Sequence, residues 1–126
     1  MRISIAILFA GAVLLAGCSQ KPSDSAAGLA SVWTGGNVQR GMSAVSRFGC
    51  GSCHTIGGLS SAHGMVGPPL TGIRNRMYVA GMLPNNPGNI IQWIYDPKSV
   101  NPKTVMPKVG LSRQDATDIA AYLYSQ

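Results

Sequence analysis

Two cysteines and a histidine stand within five residues of one another in Cys50-Gly51-Ser52-Cys53-His54. Thiols three residues apart on one helical turn lie side by side, and each can add to one of two vinyl groups on neighbouring pyrroles of a porphyrin. C-x-x-C-H is accordingly the attachment pattern of a c-type haem. The imidazole of His54, directly after the second thiol, then falls beneath the iron as its proximal nitrogen ligand. The expectation is one covalent haem c, held by Cys50 and Cys53 and ligated by His54.

Two other chemistries use such residues. A structural zinc site takes four ligands, usually as two separated pairs; once Cys18 is assigned elsewhere, the chain offers only Cys50, Cys53, His54 and His63. A redox dithiol of the thioredoxin kind sits beside a βαβ pattern, whereas the surroundings here are helical and glycine-rich, without strand alternation. Both fit the residues less well than haem.

The chain has 126 residues, enough for one domain, and its beginning reads as a processing segment. Met1-Arg2 is followed by an almost wholly apolar run from Ile3 to Leu15, too short to span a bilayer and right for the core of a signal peptide. Leu15-Ala16-Gly17-Cys18 looks like a bacterial lipobox, in which cleavage before the cysteine leaves a lipidated Cys18. The alternative is a secreted protein cut nearby, with Cys18 discarded. Residues 1–17 are thus expected to be a lipoprotein signal peptide, residues 18–34 a lipidated flexible tether rich in Ser, Ala and Gly, and residues 35–126 the folded domain. Lipidation also accounts for the three cysteines, one for the anchor and two for the haem, with none left for a disulfide.

Ten Lys and Arg face four Asp and no Glu, for a formal net charge of +6. Arg74, Arg76, Lys98, Lys103 and Lys108 all lie in the second half, where they can steer the domain onto an acidic partner. A nucleic-acid role is excluded by export and by the lack of a basic cluster with interleaved aromatics.

Around the motif the pattern is helical. Asn37 reads as the cap of a helix through Val38, Gly41, Met42 and Val45. Thr55 to Gly72 is glycine-punctuated loop, ending in Gly67-Pro68-Pro69-Leu70. Asn89 is expected to cap a short helix from Ile90 to Tyr95, stopped by Asp96-Pro97 and followed by a loop from Lys98 to Leu111. Ser112-Arg113-Gln114-Asp115 resembles a capping box with Asp for Glu, and Ala116, Ile119, Ala120 and Leu123 then recur at helical spacing. No internal repeat is visible.

From Asn37 to Tyr124 this order resembles the class I c-type cytochromes. The resemblance is carried by Arg40-Gly41-x3-Val45, CGSCH, GPPLTG at Gly67 to Gly72, Met106-Pro107, and DIAAYL at Asp118 to Leu123. NIIQWIYDP at Asn89 to Pro97, followed by Pro102-x3-Met106-Pro107, is similar to cytochrome domains associated with bacterial terminal oxidases. It implies an all-α class I cytochrome c fold whose first and last helices cross, Gly41 and Val45 meeting Ile119 and Tyr122. It also implies that the Pro68 carbonyl accepts the proximal imidazole N–H and that Arg76, or failing it Arg74, approaches the haem propionates. The Trp93 indole is a further propionate donor, with a core tryptophan as the alternative.

Six methionines compete for the second axial position. Met1 goes with the signal, Met42 is expected in the core, Met65 lies too soon after His54 to reach the opposite face readily, and Met77 and Met82 read as core or gap-filling side chains. Met106, in a proline-braced loop before the last helix, stands where the family places its thioether ligand. His63 reads as an exposed loop histidine. An iron closed by His54 and Met106 only exchanges electrons, so no enzyme activity and no small-molecule substrate are expected. Lys103 and Lys108 would form a docking rim for an acidic redox partner, a terminal oxidase or a dehydrogenase or cytochrome complex. The expected location is the periplasmic face of a bacterial membrane, the inner one favoured, where the domain would act as a tethered carrier or as the cytochrome subunit of a respiratory chain complex. The competing readings are a haem enzyme or gas sensor with a labile sixth ligand, and a structural subunit in which haem serves as a folding nucleus.

Overall fold

The computed structural model describes residues 22–126; the signal-like segment and Cys18 lie outside the described residues. Among these, five α-helices follow in order: α1 (Pro22–Thr34), α2 (Val38–Arg47), α3 (Pro87–Tyr95), α4 (Pro97–Val100) and α5 (Arg113–Tyr124). Single 3-10 turns occupy Cys50–Ser52 and Ile73–Asn75. A two-residue antiparallel hairpin, β1 (Tyr78–Val79) with β2 (Leu83–Pro84), and an isolated bridge between Thr55 and His63 complete the described residues. The fold is all-α, as the helical periodicity predicts. No described helix is long and apolar enough to cross a membrane.

The crossing of α2 and α5 organises the rest. Asn37 caps α2 by accepting from the Arg40 N–H at 2.8 Å. Ser112 and Asp115 form a complete capping box at the start of α5, each side chain accepting from the other's backbone N–H. From there α5 buries Ala116, Ile119, Ala120 and Leu123 in the core. At the crossing, a Cβ on Gly41 would overlap the Asp118 carbonyl oxygen and lie 2.6 Å from its carbon and 2.8 Å from Tyr122 Cβ. The backbones therefore touch, which glycine alone permits. Gly41 meets Tyr122 as the resemblance implies, but its other neighbour is the Asp118 backbone.

Asp118 locks this crossing. Only 3 % exposed, its carboxylate accepts from Asn37 N–H (2.7 Å), Arg40 Nε (2.7 Å) and Nη2 (2.9 Å), and Gln114 Nε2 (3.1 Å). Burial pushes the Asp118 carboxyl up, but the hydrogen bonds from Arg40, Asn37 and Gln114 and the Arg40 charge outweigh it, and the group is held below its ordinary value. Its replacement by alanine strands the Asn37 N–H, so stability at neutral pH is expected to fall by about 1–3 kcal/mol. Because the folded carboxyl is the more acidic, its contribution is complete above the ordinary carboxylate pKa of about 4 and is lost as pH falls through the folded-state value. Urea titrations of the parent and Asp118→Ala should therefore differ at pH 7 and converge in acid; a gap that stays constant with pH contradicts this account. At the other end of the crossing, Arg47 meets Asp115 at 2.6 Å, a more exposed pair of smaller worth.

Three local expectations are corrected. The segment read as a flexible tether is helical from Pro22: alanines favour the helix, a proline starts it, and Ala30 packs into the core while the Thr34 hydroxyl donates to the Ala30 carbonyl at 2.7 Å. A composition of small residues serves a close-packed helix as readily as a linker. Asn86, not Asn89, caps α3, accepting from Asn89 N–H at 2.9 Å with Pro87 in the first helical position; Asn89 instead donates from its side chain to the Pro84 carbonyl. Met42, Met77 and Met82 are exposed rather than in the core.

A candidate haem-binding site

The motif turn begins at Gly49, whose φ of 68° lies in the left-handed region that glycine enters without steric cost. Cys53 N–H and His54 N–H both donate to the Cys50 carbonyl, at 3.3 and 3.0 Å. Both thiols and the imidazole thus come from a single turn. Burial pushes the Cys50 thiol up, with the neighbouring Cys53 adding to it, which is the reverse of the depressed pKa that marks a redox-reactive thiolate.

The following loop folds back beneath the turn. Gly64 N–H donates to the Gly51 carbonyl (3.0 Å) and Gly67 N–H to the Cys53 carbonyl (2.8 Å). A Cβ on Gly64 would come 2.5 Å from Cys53 N, and one on Gly67 would overlap the His54 ring, 2.6 Å from Nδ1. The imidazole therefore lies in a slot that only a missing side chain leaves open. His54 Nδ1 lies 2.7 Å from the Pro68 carbonyl oxygen. A carbonyl only accepts, so the proton sits on Nδ1 and the Nε2 lone pair is left for a metal.

Beside this turn is a cavity of about 550 Å³. Its walls are largely apolar: Val45 of α2, Ile90, Trp93 and Ile94 of α3, Ile119 and Leu123 of α5, with Leu70 and Ile73 from the intervening loop. Cys50, Cys53, His54, Pro68, Arg76 and Met106 all open onto it. Among the described methionines, Met106 lines it, whereas Met65 is 91 % exposed and Met77 80 %. The residues fit a covalent haem: two unpaired thiols at the wall, an imidazole of fixed tautomer, an apolar enclosure, a thioether, and, among the described residues, Arg76 as the one Lys or Arg at the lining. A smaller hollow of about 140 Å³ lies behind the Cys50 turn, among Val45, Gly51, Leu59 and Ala62.

The loop bearing Met106 is braced. Met106 N–H donates to Thr104 Oγ1 (3.1 Å), and Lys98 Nζ donates to the Thr104 carbonyl (2.8 Å). Lys108 Nζ reaches Asp96 at 2.7 Å, with its ammonium 5.5 Å from the Tyr95 ring centroid. The Lys108 hydrogen bond and charge hold the Asp96 carboxyl below its ordinary value. Lys98 and Lys108, expected as free docking charges, thus tie the methionine loop to α4 and to the end of α3.

Arg76 donates to the Pro69 carbonyl. Its backbone is held by Asn85, whose Nδ2 donates to the carbonyls of Arg76 (2.9 Å) and Ile73 (2.7 Å) while its Oδ1 accepts from the Tyr124 hydroxyl (2.7 Å). Burial pushes the Tyr124 phenol up to about 12, so it remains a donor throughout the physiological range. Sequence reasoning missed Asn85, Tyr124 and Thr104, which carry no motif, and Gly64, whose place in the glycine-punctuated loop after CxxCH was the available signal; Gly67 was read as part of GPPLTG, but not its close approach to the His54 ring. Arg74 lies over the Trp33 ring at 5.9 Å and does not line the cavity. His63 is exposed and engaged through its backbone with Thr55. Among the described residues, no three His, Cys, Asp or Glu side chains gather to hold an ion.

The family described as Cytochrome c matches residues 38–126. Cytochrome c oxidase subunit 2 of Alkalihalophilus pseudofirmus is 36% identical over 89 residues, covering 70% of this chain and 25% of that protein. The chain thus spans about a quarter of that relative's length. No solved structure gave a significant match. With the motif turn, the apolar cavity and the family match over the whole of α2 to α5, the chain belongs to the cytochrome c family, whose covalently bound haem serves electron transfer.

Proposed function

We propose that the chain is a one-haem electron carrier with His54 and Met106 as axial ligands, anchored through lipidated Cys18 on the periplasmic face of a bacterial membrane, the inner one favoured. The observation that carries this reading is that Cys50, Cys53, His54 and Met106 line one apolar cavity, although the methionine lies far along the chain. Bound haem supplies a one-electron couple. The chain's residues do the rest. The Pro68 carbonyl keeps the His54 proton on Nδ1, the braced loop presents the Met106 thioether, and α2, α3 and α5 exclude water. Arg76 is placed to meet propionates, and Trp93 contributes to the wall and a second donor. Held by both His54 and Met106, a haem iron would offer no open site to a substrate, so the role is transfer and not catalysis. The relative's printed name supports a partnership with a terminal oxidase; a dehydrogenase or cytochrome complex is the other class of partner.

Purification from a strain competent in cytochrome maturation tests this reading. A red protein is expected, whose mass exceeds that of the processed, lipidated chain by one haem that acid extraction does not remove. Its ferric form should show the long-wavelength sulfur-to-iron band, and its reduced form should not bind carbon monoxide at neutral pH. A colourless product overturns the haem assignment; rapid carbon monoxide binding overturns the closed axial pair and favours the enzyme or sensor reading.

A further inference from the structure

Helix α1 has two sides. Ala30 and Thr34 are buried, while Leu29, Val32 and Trp33, at i, i+3 and i+4, form one stripe roughly a third of a turn away. These three are 50%, 80% and 54% exposed. Single apolar side chains at a surface are ordinary, but a contiguous stripe ending in tryptophan marks a contact. Arg74 lies over the Trp33 ring, its guanidinium carbon 5.9 Å from the centroid. A flat aromatic beside an extended cation suits the boundary between acyl chains and phosphate headgroups.

The chain's own order says what lies against this stripe. Cys18 precedes Pro22 by four positions, and four residues reach roughly 14 Å when fully extended. An acyl chain on Cys18 therefore keeps the start of α1 within roughly 14 Å of the bilayer interface. Lys21 stands in that short connection, adding attraction to anionic lipid. We infer that α1 rests on the membrane through Leu29, Val32 and Trp33, with Arg74 at the phosphates, so that the domain is held in a fixed attitude instead of swinging on a tether. The inference rests on the lipid-anchor reading for its geometry, and the stripe itself can be tested without it.

The experiment uses the full-length chain expressed in a maturation-competent bacterium, with Val32→Cys carrying a nitroxide; Cys50 and Cys53 are consumed by haem. On vesicles of phosphatidylethanolamine and phosphatidylglycerol, the label's collisions with a water-soluble nickel chelate are expected to fall several-fold relative to the same label at Lys103→Cys, while collisions with oxygen rise. Leu29→Ser with Trp33→Ser should restore the chelate's access to the label. The mass of the N-terminal peptide reports separately whether Cys18 is acylated. If it is acylated and the label at position 32 is as water-accessible as at position 103, the resting helix is refuted and the anchor stands. If it is not acylated, co-sedimentation with the vesicles that the double serine variant abolishes still supports the stripe, and no co-sedimentation overturns it. Concentration-dependent dimerisation that shields the label without lipid also overturns it, assigning the stripe to a second copy.

Discussion

Replacing Met106 with alanine is expected to give a protein that keeps its haem but binds carbon monoxide in the reduced state, lacks the sulfur-to-iron band, and has a markedly lower reduction potential. The thioether favours ferrous iron, and axial ligation commands a span of roughly 0.8 V across haem proteins; losing it should cost a substantial part of the advantage over water or a nitrogen ligand. The fold should survive, because the loop is held by Lys98, Thr104 and Lys108 and not by the methionine, and the α2/α5 crossing lies elsewhere. Spectroelectrochemistry reads the potential and flash photolysis the carbon monoxide rate. An unchanged spectrum and potential would show that another side chain is the ligand. The exposed positions of Met65, Met77 and Met82 make that a demanding alternative, since each would have to turn inward from solvent.

Gly41→Val should have the opposite profile, a large loss of stability with little direct effect on haem chemistry. The new side chain would have to occupy the volume of the Asp118 carbonyl and of Tyr122 Cβ. Neither can yield, since one is helix backbone and the other is fixed to it. Overpacking of this kind costs roughly 3 kcal/mol or more, a large share of the stability of a domain this size. The yield of haem-bearing protein should collapse, and the urea midpoint of what survives should drop sharply. Gly28→Ala is the control: it also lies inside a helix, but a Cβ there meets nothing within 4 Å, so propensity alone acts and stability should rise by up to about 1 kcal/mol. Equal effects at the two glycines would show that helix propensity, and not the crossing, governs position 41.

The haem motif, the Asn37 cap and the Ser112 to Asp115 box were legible in the sequence because each is closed by residues within a few positions of one another. The same holds for the apolar face of α5. Where two local signals competed, the reading slipped: both Asn86 and Asn89 can cap, and the first wins because Pro87 is preformed for the opening turn. Small residues before Trp33 satisfied a linker and a packed helix equally, and only burial of Ala30 against the core distinguishes them. Lys98 and Lys108 read as free charges because their partners, the Thr104 carbonyl and Asp96, become neighbours only when the loop folds back. The Asn85 link from Arg76 to Tyr124 carries no motif at all. The chemistry of this protein thus follows from residue type and spacing, which covalent geometry transmits over one turn. Which methionine shares a cavity with His54, which cations are engaged, and where the first helix turns its apolar side depend on how the loops fold back and the helices pack, contacts that local spacing does not transmit.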